Sequence, residues 1–458
     1  MRIKLALPLN LSEVISVVKG RAELIEKDRA IEYITTDTRT LFCDDLFIAL
    51  NGEFYDGESF AYLAVENGAR ALSRLQGNGF VTVHDTAEAL LQLAKHYKTK
   101  LEKQKFTVAV TGSVGKTTTK NYLKCLFNGK FNTYATEENH NNLIGMPMTI
   151  LSARKDTEAL ILEMGMNHRG EIEKMSLVAE PNIAIITNIG SSHIGNLGSR
   201  EEIAKAKREV LCGIKKGRVI LPYDEPLLND ISSKFTVSTE SYLADCYLRQ
   251  ITSDGIETVF DLYLEDIVIK NLKAEIGAPH NLYNLGYAIS AFYLAGATDE
   301  EICEGLIKIG QKDLRYRLFD CGEFKVYDDS YNSSYESIVA ALKHIKLMKA
   351  PFSAVLGDVL EIGGFSQDYH EKIGESAYLL GCEKLYCFGH FAEDIKLGAT
   401  NKGMNENLVF VNRDINSPDV TAGHILTNYH KGEIILIKGS HGLKMHRISD
   451  ILKKELQK

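Results

Sequence analysis

Residues 108–120 read VAVTGSVGKTTTK. The apolar run Thr107–Val110 meets two glycines, a lysine and a run of threonines, and TKNYLKCLF (119–127) then continues in helical rhythm. Strand, glycine loop and helix in that order form the context a phosphate loop requires. Glycines let backbone N–H groups turn toward anionic oxygens, the helix start adds its positive dipole end, and a lysine supplies a point charge. The strict GxxxxGK[ST] pattern would need glycine at 110, where the chain has Val110, but the shorter GxxGKT spacing occurs. An ordinary glycine turn is the competing reading, and the flanks favour nucleotide. Gly112, Ser113, Gly115, Lys116, Thr117 and Thr118 are therefore expected to hold phosphates, with the Thr117 hydroxyl on Mg²⁺.

Outward from the loop, short β-branched runs alternate with helical stretches: EALILEMG (158–165), NIAIITNIG (182–190) and GRVILPYD (217–224). This alternation predicts parallel βαβ units. Upstream, the helical pattern TAEALLQLAKHYKTKLEK (86–103) follows a stretch of short apolar runs and turns, with Asn51-Gly52 and Asp56-Gly57 as turn signals. Downstream, FKVYDDSYN, FSAVLGDVLEIG, KLYCFG and EIILIKGS repeat the strand-and-loop style. The expected architecture is α/β with three domains. A small N-terminal domain spans 1–84, a central domain with a parallel sheet carries the phosphate loop over 85–312, and a Rossmann-like α/β domain spans 313–458.

Bulk properties narrow the function. A chain of 458 residues is too long for one core. Its 45% apolar and 25% charged residues match an ordinary globular protein. A net charge of −8 provides no electrostatic footprint for nucleic acid. No segment approaches the roughly 20 apolar residues of a membrane span. The eight cysteines form no CxxC pair, so reduced thiols and a cytoplasmic location are expected.

Ligands of an open parallel sheet bind beyond the carboxyl ends of its strands. Glu163 closes one predicted strand and His193 follows another, so both are expected at the edge that holds the loop, where a carboxylate and an imidazole could hold a second Mg²⁺. In EEIAKAKREVLCGI (201–214), Ile203, Val210, Leu211 and Ile214 form one stripe, with Lys207 at its centre and Lys205 facing away. A buried lysine loses hydration and favours its neutral amine, which reacts with CO₂ to give an anionic carbamate. A snorkelling lysine satisfies the same periodicity.

Taken in order, TGSVGKTTTK, TEENHNNLIGMPMTIL (136–151), LEMGMNHRGEI (162–172), TNIGSSHIGNLGS (187–199) and AKAKREV (204–210) resemble the Mur ligases of bacterial cell-wall synthesis. TDTRTLFCDDLFIALNGEFYDGESF (36–60) is similar to that family's nucleotide-sugar-binding domain. DDSYNSSYES (328–337), LGDVLEIG (356–363) and LIKGSHGLKM (436–445) resemble its last domain.

The resemblance implies an ATP-dependent ligase that joins a UDP-linked muramoyl peptide to D-alanyl-D-alanine or a related amine through an acyl phosphate, acting as a monomer. It gives Lys116 and Thr117 the ATP phosphates and first Mg²⁺, Glu163 and His193 the second metal, and Lys207 the carbamate. Asn281 would contact adenine, with Arg317, Asp329, Tyr331 and Asn332 completing the nucleotide site. Asn141 and Asn142 would face the UDP-linked substrate, Thr38 and Arg39 its nucleotide end, and Lys438, Ser440 and His441 would lie in the last domain's part of the substrate site.

Three departures stand out: Ser333-Ser334-Tyr335 where the family usually has Ala-Asn-Pro, His441 where it has Arg, and Glu58 where it has His. Arg grips a carboxylate in a bidentate fork and His cannot, so a different amine or acceptor preference is one alternative. A paralogue with other substrates and a non-catalytic ATP-binding partner are the rival readings.

Overall fold

The computed structural model describes residues 1–23, 29–52, 55–310 and 316–455. The domain boundary expected at 312/313 lies outside the described residues. Among the described residues the strands form three sheets, of five, nine and six strands. It divides into two compact units, one of Met1–Thr111, Phe127–Ile185 and Ala206–Val219, the other of Gly112–Leu126, Ile186–Lys205 and Ile220–Lys458.

In the first unit, Arg2–Asn10 pairs antiparallel with Ala30–Thr35, and Leu46–Ile48, Arg70–Ser73 and Phe80–Thr82 continue that sheet in parallel. The helix Thr86–Thr99 starts where Asp85 accepts hydrogen bonds from the N–H groups of Ala87 and Glu88 at 2.8 and 3.0 Å. It buries Leu90, Leu93, Ala94 and Tyr97, an apolar face of helical period. Strand Phe106–Thr111 runs parallel to Ala159–Glu163, which runs parallel to Thr133–Ala135. All five residues of Ala159–Glu163 are buried. A strand covered on both faces reads as a continuous apolar run rather than an alternating one, and ALILE fits until its last residue.

In the second unit, Lys234–Ser238 pairs parallel with Cys246–Ser253, and Thr258–Leu264 and Ile267–Ala274 follow antiparallel. This antiparallel trio extends the parallel pattern that the sequence predicts. Its first turn is local chemistry: Asp254 Oδ1 accepts the N–H groups of Ile256 and Glu257 at 2.8 Å each, and Gly255 takes φ +88°.

The six-stranded sheet begins with the antiparallel pair Arg317–Cys321 and Phe324–Asp328. Ile434–Lys438, Phe352–Gly357, Leu385–Phe388 and Val409–Asn412 then follow in parallel. Val326, Val355, Phe388, Ile435, Ile437 and Ile448 form its core, each worth roughly 1.5–3 kcal/mol on burial. Among the described residues no helix is long and apolar enough to cross a membrane.

Candidate nucleotide site and its surroundings

The loop after strand Phe106–Thr111 takes its shape from glycine. Gly112 sits at φ +140° and Gly115 at φ +83°, a region that side-chain-bearing residues avoid. Close approach adds a second demand: a Cβ at Gly112 would overlap Thr187 Oγ1, and one at Gly115 would overlap Asn284 Oδ1. Lys116 opens the helix Lys116–Phe127 and curls back, its Nζ donating to Gly112 O at 2.7 Å and Ser113 O at 3.0 Å. Thr117 and Thr118 lie buried in the first helical turn.

The segment after Ile186 pins this loop. Ser113 N donates to Asn188 O at 3.2 Å, and Val114 N to Asn188 Oδ1 at 3.0 Å. Val114 O accepts from Thr187 Oγ1 at 2.6 Å and Asn188 Nδ2 at 2.9 Å. Gly190 N donates to Ser113 Oγ at 2.9 Å. At about 0.5–1.5 kcal/mol net for each bond, the set stabilises this loop conformation. Sequence reasoning missed Thr187 and Asn188. Their signal was the polar pair that ends an apolar strand.

Behind the loop lies the helix Asn281–Leu294. Asn281 is buried, donating Nδ2 to Ile276 O at 2.8 Å and accepting from Asn284 Nδ2 at 3.0 Å. Thr119 Oγ1 donates to Asn284 Oδ1 at 3.3 Å, and Tyr287 donates its hydroxyl to Thr187 O at 2.8 Å. Burial pushes the Tyr287 phenol well above its ordinary range, so this donor stays protonated. Asn284 was also missed; it sits three residues after Asn281 on the same helix face.

His193 stands at φ +65° just before the short helix Ile194–Leu197. Its Nδ1 lies 2.6 Å from Glu361 Oε2, and Glu361 itself takes φ +66°. Two non-glycine residues in the left-handed region cost roughly 1–2 kcal/mol each. The imidazole beside it holds the Glu361 carboxyl below the usual carboxylate range, against the opposing effect of burial. Two residues earlier, Ser191 donates its N–H to Glu336 Oε1 at 2.7 Å and its Oγ–H to Oε2 at 3.1 Å.

Lys438 is buried, with Nζ 2.6 Å from Asp329 Oδ2 and 3.2 Å from Asn332 O. His441 Nδ1 lies 3.2 Å from Tyr331 O, and the two rings sit 5.6 Å apart. Ser440 Oγ accepts from Leu360 N at 2.9 Å. Arg317 is exposed and pairs in register with Asp328. Ser334, one of the departures, caps helix Tyr335–Leu347 by a reciprocal pair of bonds with Ser337. That local use explains serine there.

The first unit holds the other candidates. Glu163 ends its strand fully buried, with Oε1 accepting from Asn141 Nδ2 at 2.8 Å and its N–H donating to Thr136 Oγ1 at 3.0 Å. Asn142 Oδ1 accepts the N–H groups of Ile144 and Gly145 at 3.1 and 2.8 Å, so the side chain starts helix Gly145–Leu151. Arg39 is exposed and salt-bridged to Asp37 at 2.7 Å within its own turn, beside Thr38. Glu58 is buried, taking Arg74 N at 3.0 Å and Arg74 Nε at 3.2 Å. A carboxylate matched to a guanidinium accounts for Glu in place of His.

Lys207 is fully buried at 0% exposure, so it does not snorkel. The helix expected over 201–214 is α-helical only over Arg200–Arg208 and tightens to a 3₁₀ turn over Glu209–Gly213. The change of pitch leaves Leu211 and Ile214 half-buried, while Ile203, Lys207 and Val210 are fully covered. Among the described residues no group of three or more His, Cys, Asp or Glu could hold a metal ready-made. A hard cation prefers oxygen donors. Glu163 supplies a buried carboxylate of that kind.

Comparison with known proteins bears on all of this. Residues 110–292 match the Mur ligase middle domain, and residues 315–441 match the Mur ligase, glutamate ligase domain. The chain is 32% identical to the UDP-N-acetylmuramoyl-tripeptide--D-alanyl-D-alanine ligase of Bacillus subtilis, over 94% of this chain and 97% of that protein. A crystal structure of MurF from Acinetobacter baumannii superposes with a TM-score of 0.89 at 25% identity, covering 99% of this chain and all of that one. The MurF ligase of Thermotoga maritima, solved in complex with ADP, has the same fold, with a TM-score of 0.80 at 24% identity over 93% of this chain and 97% of that one.

Proposed function

The chain belongs to the Mur ligase family and is an ATP-dependent ligase that forms a C–N bond, and on that premise we propose that it joins D-alanyl-D-alanine to UDP-N-acetylmuramoyl-tripeptide in peptidoglycan precursor synthesis. The acceptor carboxylate attacks the γ-phosphorus of ATP, giving an acyl phosphate and ADP. The amine of the dipeptide then attacks the acyl carbon and expels phosphate. Such chemistry asks the protein mainly for positioning and charge neutralisation.

The observation that carries this reading is the loop Gly112–Thr118, held rigid by Thr187 and Asn188 with Lys116 curled over its carbonyls. Lys116 would swing from Gly112 O and Ser113 O to phosphate oxygens. Thr117 would hold a first Mg²⁺; Glu163, His193 and a carbamate on Lys207 would hold a second. Bound Mg²⁺ neutralises charge on the transferring phosphoryl group. Asn281, Arg317, Asp329, Tyr331 and Asn332 would surround the nucleoside. Asn141, Asn142, Thr38 and Arg39 would meet the UDP-linked substrate, and Lys438, Ser440 and His441 would line the amine side.

The working division is a substrate domain over 1–84, an ATP domain over 85–312 and a closing domain over 313–458, in a cytoplasmic monomer. His441, tied to Tyr331 O in place of a guanidinium, favours a second reading with a different amine. ADP release measured over UDP-muramoyl peptides against amino acids and dipeptides, with mass spectrometry of the product, tests both. D-alanyl-D-alanine is expected as the best amine; ADP release that needs no amine would reduce the protein to a hydrolase.

A further inference from the structure

Within the second unit, Glu336 in the first turn of helix Tyr335–Leu347 turns both carboxylate oxygens on one residue 145 positions earlier. Oε1 accepts the N–H of Ser191 at 2.7 Å and Oε2 its hydroxyl at 3.1 Å. The helix dipole favours a glutamate in any first turn, but it does not call for two hydrogen bonds to a distant loop. Gly190 lies between this carboxylate and the phosphate loop: a Cβ there would stand 3.1 Å from Glu336 Cδ and 3.2 Å from Ser113 Cβ. Its N–H donates to Ser113 Oγ at 2.9 Å, and Ser192 Oγ donates to Ser113 O at 3.5 Å. Ser113 O in turn accepts from Lys116 Nζ at 3.0 Å.

We infer that Glu336 is a positioning residue for the phosphate loop: its grip on Ser191 seats Gly190 against Ser113, and the start of helix Tyr335–Leu347 is thereby coupled to the nucleotide phosphates. The inference rests on the reading of Gly112–Thr118 as that loop. Hydrogen bonds to an ionised carboxylate are about twice as strong as neutral ones, so this contact outweighs the single Gly190-to-Ser113 bond that it backs. Ser191 is buried, and removing the charge leaves its N–H poorly paired. Restricting a binding loop lowers the conformational entropy lost on binding, which raises affinity without a new ligand contact. Coupling of this kind is reciprocal: what the contact adds to nucleotide affinity, bound nucleotide adds to the contact.

The test uses the full chain as Glu336→Gln, Glu336→Asp, Ser113→Ala and the Glu336→Gln/Ser113→Ala double variant, with binding of a fluorescent ADP analogue measured by titration. Glu336→Gln is expected to weaken that binding about 10-fold, the size of one hydrogen bond to a charged group, and to raise KM for ATP while KM for the amine stays put. Glu336→Asp should recover part of the loss, and the double variant should bind no worse than Ser113→Ala alone. In the unaltered chain the analogue should also slow hydrogen exchange over 187–195, a slowing that Glu336→Gln should lose. Undiminished affinity in Glu336→Gln overturns the inference, as does an additive double variant or an equal slowing of exchange in both chains. Should Glu336→Gln not fold, Ser191→Ala, which keeps the N–H bond, is expected to weaken binding about threefold, and unchanged affinity there overturns the inference in the same way. A Lys116→Ala chain that binds the analogue as tightly as the unaltered one overturns the phosphate-loop reading itself.

Discussion

Lys438 Nζ lies 2.6 Å from Asp329 Oδ2, with the lysine only 2% exposed. Lys438 ends one strand of the six-stranded sheet and Asp329 directly follows the end of the adjacent one, where Asp329 N also donates to Ile437 O at 3.0 Å. Breaking a buried pair leaves one charge without its partner. Asp329→Asn is therefore expected to destabilise the chain by roughly 3–5 kcal/mol, and Lys438→Met by less, because the carboxylate side chain it strands is 20% exposed where that of the lysine is 3%. Denaturant unfolding of both variants reads this out; equal midpoints would show the pair to be neutral.

Gly115 is required twice over, by φ +83° and by Asn284 Oδ1 where its Cβ would be. Gly115→Ala should weaken binding of a fluorescent ADP analogue at least 10-fold, about 1.4 kcal/mol. Adding Asn284→Ala removes the overlap but not the backbone strain, so the double variant should recover only in part. Full recovery would assign the whole effect to crowding.

Lys207, at 0% exposure, is the expected carbamate carrier. Activity should fall in CO₂-free buffer and return with bicarbonate, while Lys207→Arg, whose guanidinium stays charged, should lose at least about 100-fold in kcat. Turnover indifferent to bicarbonate in the unaltered chain would count against the modification.

His441 is exposed and touches the backbone of Tyr331, so a change there leaves the fold intact. His441→Arg restores a bidentate carboxylate fork and should lower KM for D-alanyl-D-alanine severalfold with unchanged KM for ATP. A KM that does not move places the amine's carboxylate elsewhere.

The thiols sort by burial. Cys43 and Cys212 are exposed, whereas Cys246 and Cys382 are buried, and burial pushes each of the latter up to about 12. The reactive form is the thiolate, so a disulfide reagent at pH 8 should label Cys43 in the native chain and reach Cys246 and Cys382 only after unfolding. Cys212, raised by partial burial and by Glu173 and Glu209, should gain speed as pH rises through the alkaline range. Fast native labelling of Cys246 would contradict its place in the core.

The candidate site was legible where chemistry restricts residue type. A phosphate loop needs glycine at strained backbone positions and a lysine at the helix start, and GSVGKT states both. Its supports were not legible. Thr187, Asn188 and Asn284 are ordinary polar residues, and nothing in their spacing says that their side chains turn toward Ser113, Val114 and Thr119. The antiparallel strands Cys246–Ser253, Thr258–Leu264 and Ile267–Ala274 were missed for a related reason: their turns satisfy local rules, but the sheet they join is a long-range choice.

Lys207 shows the division most clearly. Periodicity along one helix put it on the apolar stripe and stopped there, because a long side chain can be buried or can reach water with the same spacing. What decided between the two is the packing around it. The sequence alone determined the strand, glycine loop and helix over Phe106–Phe127, since backbone sterics act on each residue where it stands. The tertiary structure alone decided burial and partnership, such as Glu361 beside His193 and Asp329 beside Lys438, since Coulomb and hydrogen-bond forces act across space between residues that the chain order keeps far apart.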